Sequence, residues 1–168
     1  MNTRKGFRWG SVIAVLALLL LVAMPAGAQA QNHFRAHLSQ EYPDRDTLAQ
    51  GQTIFRLSSD GTEIYYKLIV ANLHDTTMAH IHLGSPADTG PVIVWLYPET
   101  APAQLIPGRF SGVLAEGTFT ADDFVGQFAG WTMEDLLAAM RAGNTYVNVH
   151  TLTFPPGEIA GSIIPQGR

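Results

Sequence analysis

The chain has 168 residues, ten Lys and Arg against fourteen Asp and Glu, and no cysteine. That length suits one ordinary domain, and the missing cysteines exclude disulfides, thiolate metal ligands and lipid attachment through sulfur. The net charge of −4 makes nucleic acid and anionic lipid poor partners.

The amino terminus, Met1 to Arg8, is basic without a single acid, and an apolar run from Val12 to Ala23 follows it. Pro25 and the small residues Ala26-Gly27-Ala28-Gln29-Ala30 come next. That order is the pattern of a secretory signal peptide, and the apolar run is shorter than the roughly 20 residues of a spanning helix. Cleavage is expected before Gln31, with Ala26-Gly27-Ala28 as the second choice. The chain then divides into a signal peptide, 1–30, and a domain, 31–168, that is secreted or periplasmic and has no membrane span. An uncleaved anchor is the alternative. Arg4, Lys5 and Arg8 leave with the signal peptide, so seven cations face fourteen acids, a net of −7. An exported domain without cysteines must be held together by its core.

His33 to Gln40 alternates polar and apolar residues and reads as a strand. Glu41 to Gln50 is polar and reads as a loop. Thr53 to Leu57 and Ile64 to Val70 are strands joined around Asp60-Gly61, a strong hairpin signal. Leu73 to Thr77 reads as a turn into a strand that carries His80. Gly84 to Pro91 is a loop dense in breakers, and Pro91 to Tyr97 is a continuous apolar strand ended by Pro98. The proline-rich stretch through Pro107 reads as irregular, and Phe110 to Thr120 alternates again. Thr132-Met133-Glu134-Asp135 then has the form of a capping box. It opens one short helix near 132–142, with Gly143 placed to end it. Strands follow around Val147 and from Glu158 to Ile164. Eight or so short strands with one helix predict an all-β fold, a Greek-key sandwich or barrel.

Two of these strands carry histidines at fixed parity. In Ala79-His80-Ile81-His82-Leu83-Gly84, His80 and His82 share a face; in Tyr146-Val147-Asn148-Val149-His150-Thr151, so do Tyr146, Asn148 and His150. Two imidazoles two residues apart on a strand, roughly 6–7 Å at Cα, are close enough to chelate one ion. A third from His150 would complete a three-nitrogen site suited to copper or zinc, copper binding more tightly under competition. Asn148 or Glu158 would orient an imidazole, or Glu158 would itself be a ligand. The metal-free alternative is a structural network of half-buried imidazoles bonded to carbonyls or carboxylates. His33 and His37 are too far apart on a strand to chelate, and with His74 they read as exposed.

Other chemistry is thin. There is no G-x-S-x-G, and the loop after Gly84 lacks the Gly-Lys-Ser/Thr of a phosphate loop. Asp122-Asp123 reads as a turn pair, and Trp95, Tyr97 and Trp131 as core or rim aromatics. No catalytic residue is expected.

Two longer motifs contain the histidines. They are Ala79-His80-Ile81-His82-Leu83-Gly84 followed by Gly90-Pro91-Val92-Ile93-Val94-Trp95-Leu96, and Ala142 to Thr151 followed by Pro156-Gly157-Glu158-Ile159-Ala160-Gly161. Their order and separation resemble the CHRD domain, a module named after chordin that also occurs alone in secreted bacterial proteins. The resemblance runs from about Asn32 to Pro165. This chain departs from it at Ala160, where an arginine is common, at Pro156, where a glycine is common, and in a shorter Ala87-Asp88-Thr89 loop. The resemblance implies an immunoglobulin-like β-sandwich and brings no established catalytic set. The expected function is an exported, non-catalytic binding or structural module, with a copper or zinc ion at His80, His82 and His150. The contrasting expectation is a metal-free adhesion or matrix module that meets an envelope or extracellular protein or glycan. A redox enzyme similar to copper–zinc superoxide dismutase stands third, because the His-x-His strand is shared but the further histidines and the disulfide are not.

Overall fold

The computed structural model describes residues 32–40 and 46–167; the signal peptide expected over residues 1–30 lies outside them. The alternating stretches form strands: β1 (His33–Gln40), β2 (Gln50–Leu57), β3 (Glu63–Leu83), β4 (Val92–Tyr97), β5 (Ile106–Thr120), β6 (Thr145–Thr151), β7 (Ile159–Ser162) and β8 (Ile164–Pro165). The helix α1 (Met133–Arg141) falls between β5 and β6. The fold is all-β with this one short α-helix.

Hydrogen bonding runs β2-β1-β7-β6-β3-β4, and β2 also pairs with β3, which closes the ring. The closure is possible because β3, 21 residues long, belongs to both layers of a barrel-like sandwich. Its first part pairs with β2 and β5, and its second with β6 and β4. The turn expected at Leu73–Thr77 is instead a pair of bends within this strand. Asn72 and Asp75 take φ of 61° and 53°, yet Leu73 and His74 still face Phe110 and Arg109 of β5. The partner strand supplies the backbone hydrogen bonds that a turn would otherwise have to replace. The Asp75 carboxylate accepts from the Gly108 N–H at 2.7 Å and the Ser111 hydroxyl from the Asn72 N–H at 3.0 Å, so both bends are braced from β5.

The closing stretch also differs from a single strand. Ile163 is fully buried, and its inward turn splits the segment: β7 pairs with β6 and the end of β1, and β8 with the start of β1. The irregular stretch after Pro98 is shorter than expected, since β5 already begins at Ile106.

The capping box is present. The Thr132 hydroxyl accepts from the Asp135 N–H at 3.2 Å, and the Asp135 carboxylate accepts from the Thr132 N–H at 2.8 Å. Gly143, at φ 69°, takes the left-handed conformation that releases the chain from the helix. Met133, Leu136, Leu137 and Met140 insert into the core with Phe34, Leu68, Ile81, Val147 and Ile163. Among the described residues no helix is long and apolar enough to cross a membrane.

Candidate metal centre

The two histidine strands are neighbours. In the β3–β6 register Met78 faces His150, His80 faces Asn148 and His82 faces Tyr146. Strand parity then separates two faces. Ala79, Ile81, Val147 and Val149 point into the core and are fully buried. His80, His82, Tyr146, Asn148 and His150 point the other way, onto what would be the solvent face of a sandwich layer. That face is sealed: the five side chains are 1–6 % exposed. Trp95, opposite His80 on β4, lies edge-on to its ring at 4.3 Å between centroids, and Tyr146 stacks on His82 at 4.9 Å.

Loops at the two ends of the β3–β6 pair bring carbonyls to two of the imidazoles. The Gly90 oxygen is 2.7 Å from His82 Nδ1, and the Pro155 oxygen is 2.8 Å from His150 Nδ1. A carbonyl can only accept, so each Nδ1 carries the proton and each Nε2 keeps its lone pair. His80 Nδ1 lies 3.2 Å from His150 Nε2. It must therefore donate to that lone pair, which leaves His80 Nε2 as an acceptor too. The Nε2 atoms of His80 and His82 are buried and have no hydrogen-bond partner among the described residues. One ring nitrogen from each of the three histidines lies within 4.8 Å of the others. Tetrahedral bonds of about 2.0–2.1 Å set nitrogens roughly 3.3 Å apart. At 4.8 Å the trio is at most about 1.5 Å looser than a closed site.

The electrostatics favour neutral rings. Burial pushes His80 down to about 3, and the neighbouring His150 and His82 push in the same direction. His82 is also lowered by burial, against the opposing pull of the Gly90 carbonyl and the Asn148 amide. A neutral imidazole is the form that ligates metal.

Compared with models of known protein families, the chain matches the CHRD domain over residues 34–163. It belongs to the CHRD family. Both histidine strands and both covering loops fall inside the matched region. No curated protein and no solved structure matches the chain.

Within this CHRD domain Glu158 stands apart from the trio. Its carboxylate accepts from the hydroxyls of Thr47 at 2.5 Å and Thr151 at 2.8 Å, and Thr151 has the core-facing parity of Val147 and Val149. The orienting role read for Glu158 is taken instead by the Gly90 and Pro155 carbonyls. Asn148 is where parity puts it, beside His82 and opposite His80. His33 and His37 are exposed on β1, and His74 is exposed against Asp75 at 2.8 Å. Asp123 caps the turn after β5 by accepting from the Thr120 N–H at 2.8 Å. Sequence reasoning missed the backbone carbonyls, which no side-chain pattern announces. It also gave Tyr146 a face but no role, although its parity with Asn148 and His150 was the available signal.

Proposed function

We propose that this CHRD domain is exported and acts as a non-catalytic module that holds one copper or zinc ion between His80, His82 and His150. The observation that carries the reading is the convergence of buried acceptors with no donor. An unpartnered buried acceptor costs about 1–3 kcal/mol, and a single cation bound by His80 Nε2 and His82 Nε2 would satisfy both at once. Imidazole nitrogen is a donor for copper or zinc and a poor one for calcium or magnesium. The carbonyls on Nδ1 of His82 and His150 are the partners that ligating histidines usually have. The remaining surface of the module would meet an envelope or extracellular protein or glycan.

A second reading, a metal-free adhesion or matrix module, has the His80–His150 hydrogen bond in its favour. That bond ties β3 to β6 without an ion.

Isothermal titration of the chain from Gln31 with copper and with zinc separates the two. One ion per chain is expected, with binding lost in His82→Ala and retained in His37→Ala. Absence of saturable one-to-one binding, or binding unchanged in His82→Ala, rejects the metal site.

A further inference from the structure

The loop between β3 and β4 is held at its ends by backbone bonds alone: Leu83 N–H to Pro91 O at 3.1 Å, and Gly84 N–H to Asn144 O at 3.0 Å. In its middle the Gly90 N–H donates to Asp88 O at 2.8 Å, and a tyrosine adds a second hold. The Tyr146 hydroxyl donates to Asp88 O at 3.0 Å and accepts from Gly90 N–H at 3.2 Å. The ring of the same tyrosine lies nearly parallel to His82, at 18°. Gly90 is thus gripped on both sides, its N–H by Tyr146 and its carbonyl by His82 Nδ1. Only glycine fits there, because a Cβ would lie 1.7 Å from the Leu83 oxygen.

We propose that Tyr146 and Gly90 form a latch that holds His82 in the Nδ1–H tautomer, with its Nε2 lone pair turned into the three-histidine site, so that the loop sets the affinity for the ion. This rests on the metal reading above. Tyr146 is a positioning residue: it touches His82 and the loop, and it acts on the ion through them. The hydroxyl is dispensable for closing the loop, whose ends are pinned without it, and the ring is dispensable for the tautomer, which the Gly90 carbonyl selects. What the pair adds is a fixed direction for one carbonyl. Without the hydroxyl, Gly90 keeps only its turn bond to Asp88, its carbonyl is held less firmly on Nδ1, and His82 can then present either nitrogen.

Tyr146→Phe keeps the stacked ring and removes only the hydroxyl. Zinc titration of this variant, beside wild type and His82→Ala, should give one ion per chain with affinity lowered about 10–100-fold, the usual cost of losing a group that orients a ligand. Nitrogen-15 spectra of the metal-free proteins should show His82 as a single Nδ1–H tautomer in wild type and as a mixture in the variant. Affinity within about twofold of wild type, with the tautomer unchanged, overturns the latch. If wild type binds no zinc, the metal reading fails, and the tautomer spectra still decide the latch without it. Should Tyr146→Phe fail to fold, the wild-type spectrum decides: His82 as a single Nδ1–H tautomer supports the latch, and a tautomer mixture overturns it.

Discussion

Strands β1 and β6 alternate alike in sequence and end in opposite surroundings. In β1, Phe34, Ala36 and Leu38 are buried while His33, Arg35 and His37 are exposed; in β6 all seven residues are buried. The contrast extends to the layers. On the outer face of the first, Arg35, Ile54, Lys67 and Glu116 form one cross-strand row in the open, with Lys67 and Glu116 paired at 3.0 Å. On the outer face of the second, His80, His82, Asn148 and His150 are shut beneath two loops and Trp95. Polar residues on an exposed face need no further explanation. Polar residues on a sealed face must be partnered, and His80 Nε2 and His82 Nε2 have no partner among the described residues. That difference supports the second face as the place of the proposed ion.

The core gives the largest expected effect. Ile81, fully buried between the layers, should cost about 2–5 kcal/mol as Ile81→Ala, whereas Ile69, 45 % exposed on the open face, should cost under about 1 kcal/mol as Ile69→Ala. Urea unfolding of both variants measures this. Equal losses would mean that the open face is covered in solution.

Zinc sharpens the contrast next. At a hundredfold excess over Kd it should stabilise the fold by about 2.7 kcal/mol, reversibly with a chelator. The gain should disappear in His150→Ala and survive in His37→Ala. Thermal unfolding with and without zinc reads it, and a gain retained in His150→Ala would place the ion elsewhere.

The smallest effect is a slope. His80 sits near 3 in the fold against 6.5 in the free side chain. Between those values the unfolded chain takes up a proton that the native metal-free chain refuses, so stability falls as pH drops from about 6.5 toward 3. His80 contributes at most about 1.4 kcal/mol per pH unit, and His82, shifted in the same direction, adds to it. Denaturant titrations at pH 7 and pH 5 should show a steeper loss in wild type than in His80→Phe. Parallel profiles would mean that water reaches the sealed face.

The strands and the helix were legible because their signals are short-range. Alternation in β1 and the Thr132–Asp135 box each depend on neighbours a few residues away. The passage of β3 through both layers was not legible. His74-Asp75-Thr76 has turn-forming composition, and only β5, packed alongside, keeps that segment in a ladder. Glu158 misled for a related reason: a carboxylate that soon follows His150 in sequence invites pairing with it, but the fold places it against Thr47 and Thr151.

The chain by itself determined which histidines share a face, since parity along a strand is a property of local geometry. It also determined the family, through two motifs that contain those histidines. Only the tertiary structure decided that His80 and His150, seventy residues apart, lie on adjacent strands, that their face is sealed, and that the carbonyls of Gly90 and Pro155 bond the Nδ1 atoms of His82 and His150. Pairing and burial depend on which segments fold across a face, and no pattern within a strand encodes that.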